Sequence, residues 1–436
     1  MDTLTSKLRA LALAEPIYVV GMGASGHVTL DLLREAGYNA IGLDERLDER
    51  RIERRNFDDP DAFAGAATLV VSPGVDRRRA AFTHNYARQI NDIELFALLN
   101  DKPVLAVTGS NGKSTVVTLL AAALNHAGQR AKLCGNIGRP VLDALFDGEP
   151  ADCYVLELSS YQLELCPSLY PRVAAILNIT PDHLDRYDDF AAYAAAKTNL
   201  VRQASITIVN GDDENCVAAA EQGQNIIYYG NAPTLPNRVE NGKIILHGHS
   251  VLDTARLNLH GAHNHSNILC TLLMLEAYGV SPSQALPAIE TFAGLPHRMQ
   301  TVSTEGGVHW VDDSKATNIG AAAASLAGIN GPVILIAGGV GKNQDFAQLA
   351  AIIKTSSVRH VLLIGVDNRA MQVAFNAANV AYEDCGSMDK AVERARSLAQ
   401  AGDTVLLAPA TASFDQYSGY DARGNAFAYE VTSICR

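Results

Sequence analysis

Short apolar runs recur along the chain, and most are followed by a polar or glycine-rich segment and then by an alanine- and leucine-rich stretch. The runs have the length of buried strands, and the richer stretches have the length and composition of helices. The predicted strands are 17–20, 38–43, 68–71, 104–107, 154–156, 173–177, 206–209, 308–310, 333–337, 361–364 and 404–407. This alternating order predicts an α/β fold with parallel sheets and with functional groups at the carboxyl ends of the strands.

The connection after the strand at 104–107 has the composition of a phosphate-binding loop. Its residues are Gly109, Ser110, Asn111 and Gly112, followed by Lys113, Ser114 and Thr115 at the start of an apolar helix. Loop N–H groups and a helix N-terminus bind anionic oxygens. The lysine reaches the terminal phosphates, and the Ser114 hydroxyl is suited to Mg²⁺. The strict P-loop pattern has a glycine where this chain has Val107, so an ordinary turn with an exposed lysine is the alternative.

A second glycine motif, GMGASG, occupies residues 21–26 between the strand at 17–20 and a helix predicted at 27–36. Asp44 follows the next strand, as in dinucleotide-binding folds. Three interpretations are open: an NAD site, a site for another phosphate-bearing nucleotide, and a structural turn. We favour the second, because many nucleotide-sugar binders carry this motif.

Polar side chains also stand at other predicted strand ends. Glu157 follows the strand at 154–156, which is the usual place for a Mg²⁺ ligand beside a phosphate loop, and a surface glutamate is the alternative. His183 lies in an acidic loop after the strand at 173–177 and suits a metal or a substrate, although a lone histidine there is more often structural. Lys197 lies in an alanine-rich helix, and its spacing alone predicts an ordinary solvated lysine.

Composition narrows the class of protein. At 436 residues the chain is long enough for several domains. Its net charge of -12 argues against a nucleic-acid partner, which would need a basic surface. Seven scattered cysteines without a C-x-x-C pair indicate reduced thiols. We find no signal-peptide pattern and no apolar run of membrane-spanning length, and therefore expect a cytoplasmic protein that contacts no membrane. We also expect a monomer.

The order of motifs along the chain resembles that of the Mur ligases. These motifs are GMGASG, SPG, TGSNGKST, GNIG, ELSSYQL, NITPDHLDRY, AAAK, GAHN, LPHR, DDSKATN, GGVGK and PATASFDQ. The resemblance covers nearly the whole chain, and it also accounts for Val107, since the family has a non-glycine residue there. It implies three domains: a UDP-substrate-binding Rossmann-like domain (1–94), a central ATP-binding domain with a P-loop-type parallel sheet (95–297) and a Rossmann-like amino-acid-binding domain (298–436).

The resemblance further implies ATP-dependent amide formation in peptidoglycan precursor synthesis. DDSKATN and ASFDQ are typical of the family members that add D-glutamate to UDP-N-acetylmuramoyl-L-alanine. An acyl phosphate would form on the substrate carboxylate, and the D-glutamate amine would then displace phosphate. Such chemistry depends on positioning and on neutralising phosphoryl oxygens.

Matching motifs assign expected roles to individual residues. The catalytic residues implied are Lys113, Glu157, His183 and Lys197. Those implied for ATP are residues 109–115 with Asn264, Asn267, Arg298, Asp313 and Lys315. Those implied for the UDP substrate are Ser25, Asp44, Glu45, Arg46, Ser72, Asn136 and His183. Those implied for D-glutamate are Lys315, Thr317, Lys342, Ser413 and Tyr420. Ser114, Glu157, His183 and Lys197 are implied for two Mg²⁺ ions, with Lys197 carbamylated to supply a bidentate oxygen ligand.

Three other functions are compatible with parts of this pattern. A folylpolyglutamate synthase would share the ATP loop and the lysine but not the UDP-type first domain or DDSKATN. An NAD-dependent oxidoreductase would explain GMGASG but has no use for the GKST loop. A non-catalytic nucleotide-binding module would not need Glu157, His183 and Lys197 together.

Overall fold

The computed structural model describes residues 3–46, 52–84, 87–259, 261–341 and 344–434. By residue contacts the chain divides into two compact units. The first contains the described parts of 1–179, 191–257 and 266–291, and the second contains those of 180–190, 258–265 and 292–436. No helix within these described ranges is long and apolar enough to cross a membrane.

The first sheet of unit 1 is entirely parallel, with the strand order β3-β2-β1-β4-β5. Its strands are β1 (Ile17–Val20), β2 (Ala40–Asp44), β3 (Ile52–Arg54), β4 (Thr68–Val71) and β5 (Arg88–Ile90). The helices of this segment are α1 (Thr3–Ala10), α2 (Ala24–Glu35), α3 (Ala80–Thr83) and α4 (Asp92–Leu99). In such a sheet the ligand crevice lies where the strand order reverses, here beyond the carboxyl ends of β1 and β4.

The second sheet of unit 1 is also parallel, in the order β11-β10-β9-β6-β8-β7. Its strands are β6 (Val104–Thr108), β7 (Ala131–Gly135), β8 (Cys153–Glu157), β9 (Val173–Ile176), β10 (Thr207–Asn210) and β11 (Ile226–Tyr229). The helices of this segment are α5 (Lys113–His126), α6 (Val141–Phe146), α7 (Ser160–Leu163), α8 (Phe190–Gln203), α9 (Glu214–Ala220), α10 (Ala262–Tyr278) and α11 (Pro282–Thr291). An antiparallel sheet of β12 (Arg238–Glu240), β13 (Lys243–Leu246) and β14 (His249–Asp253) follows β11.

The sheet of unit 2 has the order β15-β16-β20-β17-β18-β19, and only the β15 pairing is antiparallel. Its strands are β15 (Gln300–Ser303), β16 (His309–Asp312), β17 (Val333–Ala337), β18 (Val358–Ile364), β19 (Glu383–Gly386) and β20 (Thr404–Leu407). Its helices are α12 (Ile319–Ala327), α13 (Phe346–Thr355), α14 (Arg369–Ala377), α15 (Met388–Leu398) and α16 (Tyr420–Ile434). Buried apolar side chains cover both faces of this sheet, as parallel sheets require.

A continuous apolar core joins the two sheets of unit 1. The edge of Phe96 on α4 meets the ring of Tyr154 on β8, with centroids 5.1 Å apart. The Asn91 side chain accepts a hydrogen bond from the Glu94 N–H at 2.9 Å and so caps α4. The observed strands confirm the α/β class and the strands predicted from the sequence, with small shifts at their ends.

One local prediction differs from the structure. Helix α2 begins at Ala24 and not at His27, so half of the GMGASG motif lies inside the helix rather than in a loop. Asn264 and Asn267 both lie within α10.

Candidate active site

The loop between β6 and α5 has the geometry of a phosphate cradle. Gly112 adopts φ = 86°, a left-handed conformation that favours glycine, and a Cβ there would lie 2.8 Å from the Asn267 Oδ1. Asn178, after β9, accepts the Ser110 N–H at its carbonyl oxygen (2.9 Å) and the Asn111 N–H at its Oδ1 (2.8 Å). The loop is thereby fixed at the N-terminus of α5, where the helix dipole favours an anion.

Two lysine ammonium groups meet at one carbonyl oxygen of this loop. The Lys113 Nζ donates to the Gly109 oxygen at 2.7 Å and to the Ser110 oxygen at 3.0 Å. The Lys197 Nζ, from helix α8, donates to the same Gly109 oxygen at 2.9 Å. Lys197 is 2% exposed. The solvated lysine predicted from spacing alone is therefore wrong, because tertiary packing brings α8 against the loop.

Tyr193 lies one helical turn before Lys197 and completes this cluster. Its hydroxyl is 2.8 Å from the Ser110 Oγ, and its ring centroid is 4.7 Å from the Lys197 Nζ. The ring therefore makes a cation–π contact with the ammonium. Neither Tyr193 nor Asn178 was among the residues predicted from the sequence. The i, i+4 spacing of Tyr193 and Lys197 is the sequence signal that could have indicated Tyr193.

Glu157 ends β8 and pairs in register with Val107 of β6, next to the phosphate loop. Its Oε1 accepts a hydrogen bond from the Asn136 Nδ2 at 2.7 Å. Its Oε2 is buried and has no hydrogen-bond partner among the described residues. Burying a carboxylate oxygen without a partner costs free energy unless a cation or a hydrogen-bond donor binds to it. The Glu157 carboxylate is therefore suited to bind a Mg²⁺ ion.

No group of three or more His, Cys, Asp or Glu side chains suited to a metal is present in the described part of the chain. Mg²⁺ usually keeps several waters and binds through one or two carboxylates together with substrate phosphates. Glu157 and the Ser114 hydroxyl at the start of α5 are compatible with such a sparse site. Ser114 and the adjacent Thr115 are both buried.

Five of the seven residues expected to bind the UDP substrate line one cavity of about 590 Å³ at the carboxyl edge of the first sheet: Ser25, Asp44, Glu45, Arg46 and Ser72. The Ser72 hydroxyl donates to the Gly21 oxygen at 2.6 Å. Asp44 accepts the Met22 N–H (2.9 Å) and the Arg46 N–H (2.8 Å) and so ties the β2 end to the glycine loop. Asn136 is not part of this lining but contacts Glu157.

The Ser25 hydroxyl is hydrogen-bonded to Asp92, at the start of α4. Burial raises the pKa of Asp92, and the hydrogen bond from Ser25 opposes that shift. This hydrogen bond therefore links Ser25 in the cavity wall to α4, the helix that leads into the second sheet.

In unit 2, Asp313 is held in the loop after β16. Its Oδ1 accepts the Met299 N–H at 3.2 Å, and its Oδ2 accepts the Ser325 hydroxyl. Burial raises the pKa of Asp313 to about 6, while the Ser325 hydrogen bond and the charge of Arg298 lower it. The structure thus brings together two of the predicted ATP residues, Arg298 and Asp313.

Two predicted D-glutamate residues also meet in unit 2. The Lys315 Nζ lies 3.9 Å from the centroid of the Tyr420 ring. Ser413, after β20, is buried, and Thr317 precedes α12. Lys342 lies outside the described residues.

His183 belongs to unit 2, in the loop of residues 180–190. It has φ = 56°, and its Nε2 is 3.6 Å from the Asp182 Oδ2. Asp182 in turn accepts a hydrogen bond from the Asn318 Nδ2 at 3.1 Å. Asn264 belongs to unit 2 and Asn267 to unit 1, one helical turn further along α10.

Comparisons with known proteins agree with this geometry. Residues 107–275 match the Mur ligase middle domain family, and residues 297–411 match the family "Mur ligase, glutamate ligase domain". The chain is 40% identical to a UDP-N-acetylmuramoylalanine--D-glutamate ligase of Alcanivorax borkumensis, covering 96% of this chain and 98% of the relative. It is 39% identical to the enzyme of the same name from Methylococcus capsulatus, covering 96% and 95%.

A solved structure has the same fold at low sequence identity. It is the MurF ligase of Thermotoga maritima in complex with ADP, with a TM-score of 0.64, 16% identity and full coverage of both chains. The fold, the phosphate loop and the full-length relatives together exclude the oxidoreductase alternative. The chain belongs to the Mur ligase family, among its UDP-N-acetylmuramoylalanine--D-glutamate ligases.

Proposed function

We propose that this chain joins D-glutamate to UDP-N-acetylmuramoyl-L-alanine at the expense of ATP, in the synthesis of peptidoglycan precursors. The observation that carries the proposal is the meeting of Lys113 and Lys197 on the Gly109 oxygen, next to the Glu157 strand end. This arrangement concentrates charge where phosphate is transferred. The full-length D-glutamate ligase relatives support the choice of substrates.

The reaction has two steps. A carboxylate oxygen of the alanyl group attacks the γ-phosphorus of ATP, and the bond to the bridging oxygen breaks to give an acyl phosphate and ADP. The amine of D-glutamate then attacks the acyl carbon, loses a proton and expels inorganic phosphate. Both steps need the oxygens of the transferred group neutralised and held in line.

Lys113 supplies positive charge to the β- and γ-phosphates. In the structure its ammonium folds back onto the Gly109 and Ser110 carbonyl oxygens. A bound nucleotide offers charged phosphate oxygens instead, which are stronger acceptors than carbonyls. The N–H groups at the start of α5 bind the same phosphates.

Glu157 is the proposed Mg²⁺ ligand of the chain, with Ser114 as a partner at the phosphates. A bound Mg²⁺ ion would neutralise phosphoryl oxygens and favour displacement. The hydrogen bond from Asn136 holds the Glu157 carboxylate in place and leaves the Oε2 for the ion. His183, from the loop 180–190, is proposed for a second ion and for the substrate carboxylate.

Lys197 is proposed to act as a carbamate. Its neutral amine attacks CO₂, a proton leaves, and a carboxylate-like group forms on the side chain. Two ammonium groups on one carbonyl oxygen repel each other, as in the pair Lys113 and Lys197. After carbamylation, the negative group on Lys197 would attract the Lys113 ammonium and would supply oxygen ligands for Mg²⁺.

The remaining assignments follow the three larger sheets, with domains proposed at 1–94, 95–297 and 298–436. The UDP group occupies the cavity of the first sheet lined by Ser25, Asp44, Glu45, Arg46 and Ser72. The residues proposed for ATP outside the phosphate loop are Asn264, Asn267, Arg298, Asp313 and Lys315. The residues proposed for D-glutamate are Lys315, Thr317, Lys342, Ser413 and Tyr420.

The test is phosphate release from ATP with UDP-N-acetylmuramoyl-L-alanine and one amino acid at a time: D-glutamate, L-glutamate, D-alanine or a diamino acid. We expect release that requires both the nucleotide substrate and D-glutamate. Release with another amino acid alone would contradict the specificity, and release with none would contradict the reaction.

We also propose that the enzyme acts in the cytoplasm as a monomer. The six cysteines in the described part of the chain are unpaired thiols, and this suits a reducing compartment. Fractionation of cells and light scattering of the purified enzyme test the two statements. Recovery outside the cytoplasm, or a dimer mass at working concentration, would contradict them.

A further inference from the structure

The loop of residues 135–139, between β7 and α6, brings Asn136 to the carboxylate of Glu157. The Asn136 N–H donates to the Glu157 carbonyl oxygen at 2.9 Å, and the Asn136 Nδ2 donates to the Glu157 Oε1 at 2.7 Å. Asn136 is itself exposed. A hydrogen bond from an exposed amide competes with water, so the rest of the loop has to keep this side chain in position.

The loop is closed at its far end by Arg139. The Gly135 N–H donates to the Arg139 carbonyl oxygen at 3.1 Å, and Cys134 and Arg139 form a parallel bridge. Gly135 has φ = 110°, and a Cβ there would lie 2.4 Å from the Glu157 carbonyl oxygen, so the close approach requires a glycine. The path of the loop past Glu157 therefore depends on where Arg139 lies.

The Arg139 side chain ties the loop to α6. Its Nε donates to the Asp143 Oδ2 at 2.7 Å, its Nη2 donates to the Asp143 carbonyl oxygen at 2.9 Å, and its Nη1 donates to the Asp147 Oδ2 at 2.7 Å. Asp147 directly follows α6, and its Oδ1 accepts a hydrogen bond from the Lys132 Nζ of β7 at 2.5 Å. One planar guanidinium thus joins the loop to the helix, and Asp147 joins the helix to the strand that leads into the loop.

The four charged side chains of this network balance one another. Lys132 and Arg139 carry two positive charges, and Asp143 and Asp147 carry two negative charges. Three of the four carboxylate oxygens accept a hydrogen bond from one of the two cations. Such charge-assisted hydrogen bonds fix the geometry of the groups that they join. A balanced, internally paired network holds the loop and attracts no ion of its own.

We propose that Arg139 is a positioning residue for the Mg²⁺ ligand Glu157 and that it acts through Asn136. By fixing the loop 135–139, Arg139 keeps the Asn136 amide on the Glu157 Oε1. The Oε2, which has no hydrogen-bond partner in the described part of the chain, is then left for the ion. The inference rests on the proposed function, because it concerns the metal ligand of that reaction.

The test measures metal binding in two ways. One is half-saturation of activity by Mg²⁺, and the other, independent of turnover, is the affinity for Mn²⁺ in the presence of ADP, followed by electron paramagnetic resonance. Mn²⁺ takes the same oxygen ligands as Mg²⁺. Arg139→Gln should weaken both about fivefold, while the KM for D-glutamate at saturating Mg²⁺ stays within about twofold. Arg139→Lys keeps the charge but not the planar fork, and its affinity should lie between those of Arg139→Gln and the wild type.

A double-mutant cycle shows whether the effect of Arg139 passes through Asn136. Asn136→Ala alone should weaken Mn²⁺ binding about tenfold, as is typical for a group that orients a metal ligand. Adding Arg139→Gln should then change the affinity by less than about twofold, because the contact that Arg139 positions is already lost. A loss equal to the product of the two single effects, about fiftyfold, would contradict the proposal.

Arg130→Gln is the matched control. Arg130 pairs with Asp152 at 2.6 Å and joins the residues that precede β7 and β8, whereas Arg139 lies beyond the carboxyl end of β7. The control removes the same charge at the opposite edge of the sheet, and its affinity for Mn²⁺ should stay within about twofold of the wild-type value. Thermal unfolding checks that each variant is folded. If Arg139→Gln does not fold, Asp143→Asn replaces it, because Asp143 is half-exposed and pairs with the Arg139 Nε; it should weaken Mn²⁺ binding about threefold.

The outcomes separate the two proposals. Unchanged Mn²⁺ binding by folded Arg139→Gln, or by Asp143→Asn in its place, would overturn the positioning role and leave the ligase function intact. Mn²⁺ binding with ADP needs neither D-glutamate nor the UDP substrate. If the wild-type enzyme released no phosphate with D-glutamate, the proposed function would therefore fall on that result alone.

Discussion

The chain contains two glycine-rich connections of similar construction and different chemistry. GMGASG joins β1 to α2 in the first sheet, and the loop 109–112 joins β6 to α5 in the second. Both follow a fully buried parallel strand and both present a helix N-terminus at the carboxyl edge of a sheet. Backbone geometry alone therefore prepares both for an anionic ligand.

The side chains around the two loops differ. Lys113, Lys197 and the buried Glu157 surround the central loop. The first loop is braced by Ser72 and by Asp44, through hydrogen bonds to its own backbone. Cationic groups and a metal ligand can stabilise charge that develops during a reaction, whereas a loop without such groups contributes to ligand binding only. Variants of the central loop should therefore lower kcat, and variants of the first should raise KM or lower stability.

The largest expected effect is that of Lys197→Ala. It removes the proposed carbamate and one of the two ammonium groups at Gly109, so kcat should fall about a thousandfold. The KM for the UDP substrate should stay within about threefold, since the first sheet is untouched. Steady-state phosphate release measures both values. Lys102→Ala, at a half-exposed surface lysine, is the control.

Carbamylation itself is tested with ¹³C-labelled CO₂. The wild-type enzyme should give a carbamate signal in the ¹³C NMR spectrum that Lys197→Ala lacks. Wild-type turnover by Lys197→Ala would contradict the role of this residue and weaken the contrast between the loops.

Glu157→Gln should have the next largest effect. The change keeps the size of the side chain but removes the charge of the buried oxygen that suits Mg²⁺. We expect kcat to fall about a hundredfold and half-saturation by Mg²⁺ to rise about tenfold. Titration of activity with Mg²⁺ checks this, with the exposed Glu221→Gln as a control. An unchanged Mg²⁺ dependence would remove Glu157 from the metal site.

Gly26→Ala tests the packing of the first loop. The added Cβ would lie 2.2 Å from the Gly21 oxygen, a backbone atom that cannot move cheaply. The free energy of unfolding should fall by about 1–3 kcal/mol. Gly23→Ala has open space within 4 Å and should change stability by less than about 0.5 kcal/mol. Urea unfolding of both variants measures the difference, and equal stabilities would contradict the tight approach of α2 to β1.

Ser72→Ala should have the smallest effect. It removes the hydrogen bond to the Gly21 oxygen, worth about 1 kcal/mol, and loosens the loop at the cavity. The KM for the UDP substrate should rise about fivefold with kcat unchanged, as steady-state kinetics can establish. A fall in kcat with an unchanged KM would mean that the first loop takes part in the reaction step and that the contrast is wrong.

The local pattern of the sequence was enough to predict much of the fold. The strands at 68–71, 333–337 and 404–407 were predicted at their observed ends, because a short buried strand is defined by its own apolar residues and the turn that follows. The phosphate loop could also be predicted from neighbouring residues, because Gly112, Lys113 and Ser114 are consecutive. Resemblance to a known family, rather than pattern, was needed to single out Lys197.

Tertiary structure decided which distant residues act together. Lys197 reaches the Gly109 oxygen across 88 positions of sequence, and spacing alone had indicated a solvated lysine. Asn136 holds Glu157 from a separate strand end, and Arg79 reaches Glu45 in the cavity wall. The sequence by itself determined the strands, the glycine loops and the α/β class, because these depend on neighbours along the chain. Only folding brought those side chains into contact, because pairing of distant strands and packing of helices on the sheets set the distances between them.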